Sequence, residues 1–205
     1  MAAQIQVVGI SGSLRDGSYT RMALNVALQG AAEMGAATRL VDLREYELVF
    51  CDGKQDESAY PPDVFRLREE VQAAQGILLG TPEYHASLSG VLKNALDLMG
   101  FPEFEGKMVG LIGVSGGSTG AINALNSLRT IGRSLHAWVI PEQVSIPRAW
   151  DAFDASGRAK DSRLADRLMG VGREVARYAS LHAAGDDPEF LELWQNAPQN
   201  PGAER

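Results

Sequence analysis

The chain has 205 residues, 45% of them hydrophobic and 22% charged, enough apolar material for one full core. Its net charge of −7 argues against nucleic acid and anionic membrane surfaces as partners, because both are themselves negative. Cys51 is the only cysteine, so neither an internal disulfide nor a thiolate-rich metal site is expected.

Met1 leads almost at once into a first strand-like run, Gln4 to Ile10, with no charged and then hydrophobic signal segment before it. No later apolar run approaches the roughly 20 residues of a membrane span, so a soluble, cytoplasmic protein is expected. Tyr19 to Met34 places Met22, Val26 and Leu28 at helical spacing and stops at Gly35, a favoured residue just past a helix end. Ala37 to Leu43 reads as the second strand. Arg44 to Tyr60 is long, acidic and irregular, which suits a functional or mobile connection, expected to flank a pocket, better than a tight turn.

Pro61-Pro62-Asp63 opens a second helix carrying Val64, Leu67 and Val71 on one face. Gly76 to Thr81 is the third strand, Gly90 to Met99 a helix, Lys107 to Val114 the fourth strand and Gly120 to Leu135 a further helix. His136 to Ile140 is the fifth strand. Pro141 to Asp161 reads as a strand extension and a turn, and Arg163 to Leu181 as the last helix. Asp187-Pro188-Glu189 is expected to cap a short helix bearing Phe190, Leu191 and Trp194. Residues 1–185 thus form the expected domain, with 186–205 a partly disordered tail. Short apolar runs alternating with helical stretches mark an α/β protein whose parallel sheet is covered on both faces.

Three loops follow the strands that such a topology makes central, where open α/β sheets bind ligands. Ser11 to Thr20 offers the hydroxyls of Ser11, Ser13, Ser18 and Thr20, the cation Arg15 and a helix start, which together suit a phosphate monoester. It lacks the Gly-Lys-Ser/Thr of nucleoside-triphosphate loops and the G-x-G-x-x-G of dinucleotide binders. The second loop, Pro82, Glu83, Tyr84 and His85, supplies rings and backbone amides for a flat ligand. The third, Ser115, Gly116, Gly117 and Ser118, lets a backbone approach closely.

Gly113-Val114-Ser115-Gly116-Gly117 also fits the G-x-S-x-G nucleophile elbow, which raises a serine esterase using Ser115 as a rival. Its histidine would have to be His182, which falls at the end of a helix, or His136, which opens a strand. Asp42 is read as a turn cap, and Lys93 with Asp97 as a surface ion pair.

Gly12-Ser13-Leu14-Arg15 with Ser18, then Pro82-Glu83-Tyr84 with Ser87, Gly90, Leu92-Lys93-Asn94-Ala95 and Asp97, then Ser115-Gly116-Gly117, resemble the NADPH-dependent FMN reductase family of azo, quinone and chromate reductases. His85 departs from that family's usual Asn, and Ser89 from its usual Pro. The resemblance implies a flavodoxin-like, doubly wound five-stranded sheet in the order 2-1-3-4-5. FMN would sit between the first and third strands, its phosphate on Ser11, Ser13, Arg15, Ser18 and Thr20, and its ring bordered by Pro82 to His85 and Ser115 to Ser118. NADPH or NADH would pass hydride to the flavin, and small acceptors (quinones, azo or nitro compounds, metal oxyanions or free flavin) would receive it, with no catalytic side chain required. The alternative within this fold is a flavodoxin-type electron carrier. The resemblance also implies a homodimer or homotetramer, and an apolar surface of Tyr84-His85, Phe101 to Phe104 and Trp150 to Phe153 is expected to carry the contact.

Overall fold

A computed structural model describes residues 4–53 and 57–184. The expected tail helix lies outside these residues. Five parallel strands form the sheet: β1 (Gln6–Ser11), β2 (Ala37–Asp42), β3 (Gly76–Tyr84), β5 (Met108–Val114) and β6 (Trp138–Ile146). A two-residue strand, β4 (Ser87–Leu88), pairs antiparallel with the end of β3. The order is β2-β1-β3-β5-β6, which is the expected 2-1-3-4-5 once the short β4 is set aside. The helices are α1 (Tyr19–Glu33), α2 (Pro62–Ala73), α3 (Gly90–Asp97), α4 (Phe101–Phe104), α5 (Ile122–Ser134) and α6 (Ser162–Ala184).

Alternation along the strands divides the core into two. Val7, Leu78 and Ile112 face α1 and α6, where they meet Leu24, Ala27, Leu168, Val171 and Val175. Val8, Ile10, Ile77, Leu79 and Leu111 turn to the other face and pack with Leu67, Leu92, Leu96, Leu125 and Leu128 of α2, α3 and α5. Burial on both faces explains why the central strands read as continuous apolar runs. On the first face α1 and α6 touch backbone to backbone. A Cβ placed on Gly30 would lie 2.1 Å from Met169 O, and one on Gly172 1.8 Å from Ala27 O.

Two expected boundaries move for identifiable reasons. β6 runs on to Ile146 because Pro141 falls where the register with β5 shifts, on an edge strand, where proline costs no ladder hydrogen bond. Phe101 to Phe104, read as interface, is a short helix at the opposite end of the sheet from the three loops. Phe104 is fully buried, and the Phe101 ring lies 4.6 Å from that of His136, just ahead of β6. Phe153 is also core, stacked on Tyr19 at 6.2 Å. The expected continuous apolar surface therefore does not form. Tyr84 and Trp150 remain exposed. Among the described residues, no helix is long and apolar enough to cross a membrane.

Candidate active site

The first loop is gripped from beneath. Ser18 caps α1, its Oγ accepting from Arg21 N at 3.3 Å, which leaves the amides of Tyr19 and Thr20 without a protein acceptor among the described residues. Gly12 N donates to Gly80 O at 2.8 Å, and Ser89 Oγ donates to Gly12 O at 2.6 Å. A Cβ on Gly12 would come within 2.7 Å of Leu92 Cβ, so the loop root admits only glycine at this separation from α3. Arg21, buried within α1, turns its guanidinium back to donate to Ser13 O at 3.3 Å and to Asp16 O, and stands 3.4 Å from the Asp42 carboxylate. Arg44 binds that carboxylate at 2.7 Å and reaches Asp16 at 3.0 Å. Asp42 also accepts from Arg44 N at 3.2 Å, the turn cap read from the sequence.

Burial pushes the Asp42 carboxyl up, but hydrogen bonds from the Arg44 side chain and amide and the charges of Arg21 and Arg44 outweigh it. The group ionises below its ordinary 3.8. Arg15 is exposed on the same loop and makes no ion pair among the described residues.

The second loop is a hairpin that the sequence reading did not resolve. Tyr84 pairs with Ser87 across His85 and Ala86, whose φ values are 50° and 61°. Positive φ at both central positions is the geometry that two-residue hairpins need for their twist, and it favours Asn and Gly. Here His and Ala occupy it, at a cost of roughly 1–2 kcal/mol per residue for L side chains. Thr81 Oγ1, buried, accepts from Ser89 N at 3.0 Å and ties the hairpin to the start of α3.

The third loop is held by the second loop, by β6 and by the turn after it. Glu83 accepts from Ala124 N at 2.9 Å, and Ser145 Oγ accepts from Ala121 N at 2.8 Å. Two remote side chains thereby cap α5, whose own N-cap position is Ala121 and has no side-chain cap. Gly120, at φ 82°, would drive a Cβ to 2.3 Å from Ser145 Oγ. Ser115 N donates to Ile146 O, Ala149 N to Ser115 O and Arg148 N to Gly117 O, at 2.9, 3.0 and 2.9 Å.

These loops enclose a hollow of about 220 Å³. It is lined by Ser13, Arg15, Ser18 and Thr20 from the first, Pro82, Glu83 and Tyr84 from the second, and Ser115 and Gly116 from the third, with Trp150 at the rim. His85 stands at the hairpin tip, and Ser11, Gly117 and Ser118 lie outside the lining. Ser11 Oγ is buried just before the loop and is the only buried side-chain polar atom without a partner among the described residues. That leaves it open to a bound group or water. Clustered hydroxyls, a free guanidinium and helix-start amides fit a phosphate monoester, and the ringed, amide-bearing second and third loops fit a planar heterocycle.

The esterase arrangement does not assemble. Ser115 Oγ accepts from Gly117 N at 3.1 Å within its own loop. His182 Nε2 lies 3.7 Å from where a Gly106 Cβ would stand, at the opposite end of β5 and roughly 20 Å away for a seven-residue strand. His136, bound to Glu105 at 3.2 Å, is at that far end as well.

A parallel sheet of this order, flanked by helices and with three loops converging at its switch point, defines a flavodoxin-like protein. Residues 5–151 match the NADPH-dependent FMN reductase family, and the chain belongs to it. It is 40% identical over 176 residues to the NAD(P)H-dependent FMN reductase PA1204 of Pseudomonas aeruginosa, spanning 82% of this chain and 92% of that one. It is 33% identical over 185 residues to the NADPH-dependent FMN reductase ArsH of Shigella flexneri, spanning 88% and 71%. Among solved structures it resembles FerB, a flavoenzyme NAD(P)H:(acceptor) oxidoreductase from Paracoccus denitrificans, with a TM-score of 0.65, 27% identity, and coverage of 87% and 98%. The protein is an NAD(P)H-dependent FMN oxidoreductase, and the flavodoxin-type carrier and esterase readings give way to it.

Proposed function

We propose that FMN occupies the hollow between the three loops, and that the convergence of all three on one space at the switch point carries this assignment. Ser13, Ser18, Thr20 and the α1 amides hold the phosphate, and Arg15 balances its charge. Ser11 Oγ supports them from below. Pro82 to His85 and Ser115 to Ser118 border the ring, where backbone amides stabilise negative charge on its polar edge. When bound, the flavin supplies two-electron relay chemistry between nicotinamide and acceptor. The side chains bind, orient and exclude water, and none is required as a nucleophile. Donor and acceptor take turns at the exposed side of the hollow, beside Tyr84 and Trp150. The functional unit spans residues 1–185 and works in the cytoplasm as a homodimer or homotetramer, in which a neighbouring subunit walls each flavin pocket and leaves room beside Tyr84 and Trp150, both exposed in the single chain.

The test is FMN titration of apoprotein. Arg15→Ala removes an exposed group that nothing in the fold uses, and affinity is expected to fall by about 1–3 kcal/mol. Ser18→Ala is expected to weaken FMN binding likewise, while also costing helix-cap stability. Unchanged affinity in both variants would remove the first loop from the site.

A further inference from the structure

In the turn between β1 and α1 the protein fills carbonyls and leaves amides open. Gly12 O accepts from Ser89 Oγ, and the carbonyls of Ser13 and Asp16 accept from the Arg21 guanidinium. The amides of Ser13 to Ser18, like those of Tyr19 and Thr20, have no protein acceptor among the described residues. A run of free amides is a seat for an anion. Because a trans peptide is planar and sets its N–H opposite its C=O, fixing Ser13 O and Asp16 O points the amides of Leu14 and Gly17 away from the guanidinium. Gly17 lines the hollow, as do Ser13 and Arg15.

Nothing about helix formation calls for an arginine at position 21. It stands in the first turn of α1, where a cation meets the positive end of the dipole, and its side chain is only 11% exposed. Burying a guanidinium is costly unless it is paired and hydrogen-bonded. Its partners here are the two loop carbonyls and, 3.4 Å from Nε, the Asp42 carboxylate. Arg44 binds the same carboxylate at 2.7 Å and reaches the Asp16 side chain at 3.0 Å. One buried side chain thus ties both ends of the Ser13 to Asp16 turn to the end of β2.

We infer that Arg21 is a positioning residue for the phosphate of the flavin nucleotide: without touching the ligand, it holds the Ser13 to Asp16 turn in its anion-binding shape before the nucleotide arrives. The inference rests on the placement of FMN proposed above and adds to it the group that presets the loop. A preset loop lowers the ordering cost of binding. Loss of Arg21 would free the two carbonyls and withdraw a positive charge from beside Asp42, and both changes disfavour a dianion. The effect is selective. The flavin ring is bordered by the second and third loops, with which Arg21 makes no hydrogen bond or ion pair among the described residues. Riboflavin, which carries the same ring without the phosphate, is therefore insensitive to the change.

The test is titration of the flavin-free, full-length protein with FMN and, separately, with riboflavin, each followed by quenching of flavin fluorescence. Arg21→Met keeps the apolar stem without the guanidinium, and Arg21→Lys keeps the charge beside Asp42 with a single ammonium in place of the fork. The ratio of FMN affinity to riboflavin affinity is expected to fall about tenfold or more in Arg21→Met, the worth of charged hydrogen bonds, and by a smaller factor, about threefold, in Arg21→Lys. Arg21→Lys, which retains the counter-charge of Asp42, decides the matter if Arg21→Met does not fold. A preference for FMN that wild type shows and the variants keep to within about twofold would overturn the inference and leave the placement of FMN standing. Affinities for the two flavins that fall by the same factor would also overturn it, because Arg21 would then support the fold and not the loop. Wild-type protein that binds FMN no tighter than riboflavin would overturn the phosphate placement itself, and this inference with it.

Discussion

Glu83 reaches from the end of β3 to the start of α5, where its carboxylate accepts the Ala124 amide at 2.9 Å. The acid satisfies one of the helix's unpaired donors and faces the positive end of its dipole. It also fixes the distance between the second and third loops, the two that would border the flavin ring. Glu83→Ala is therefore expected to cost about 1 kcal/mol in stability, the usual worth of a helix cap, and to loosen FMN as well. Urea unfolding together with FMN titration measures both. Unchanged values in the two experiments would show that the contact contributes nothing in solution.

Acid should unpick the first loop. The folded-state pKa of Asp42 lies below its ordinary 3.8, so its contribution to stability is complete above pH 3.8 and is lost as pH falls through the folded value. Asp154 behaves in the same direction: hydrogen bonds from the Ser156 hydroxyl, the Ser156 and Arg158 amides and the Arg158 side chain hold it at about 2, against desolvation. Stability is expected to drop steeply between pH 4 and 2. Asp42→Asn should lower stability at pH 7 by about 1–3 kcal/mol, since Arg21 loses its buried counter-charge, and should flatten the acid limb. A wild-type acid limb retained in full by the variant would assign the transition to other carboxylates.

The hairpin tip offers a stabilising change. Ala86→Gly relieves a left-handed alanine at φ 61°, and after the entropy cost of glycine a net gain of about 0.5–1 kcal/mol is expected. His85→Asn should gain a few tenths, because asparagine accepts this region more readily. A urea midpoint that does not rise for Ala86→Gly would mean that the turn relaxes in solution.

Ser115→Ala should keep most NADPH-dependent reductase activity, because its hydroxyl is occupied by Gly117 N rather than by a base. A hydrolase would lose almost all turnover. Steady-state NADPH oxidation decides the point, and a hundredfold loss would return Ser115 to the list of reacting groups.

The sequence announces what local pattern controls. Short apolar runs mark the five long strands, Gly35 at φ 85° ends α1 where expected, and Pro62 opens α2. The three loops that line the hollow are legible because each follows a central strand and carries its own chemistry. Other parts depend on partners distant in the chain. Arg21 meets Asp42 across 21 positions, Glu83 meets Ala124 across 41, and Ser89 meets Gly12 across 77, and no window of sequence registers such pairs. Arg21 was the most informative residue missed. Its one signal was a charged side chain on the otherwise apolar, alanine-rich face of α1. The β4 strand is too short to show a period, and α4 shares its phenylalanines with any exposed aromatic patch.

The family match closes at residue 151, yet α6, which begins at Ser162, lies against α1 with only glycine between their backbones. Since α1 begins at the proposed phosphate cradle, the seating of α6 would set the pose of that helix from a segment beyond the family match. A change in this last helix would thus retune flavin affinity without altering any residue of the proposed FMN site.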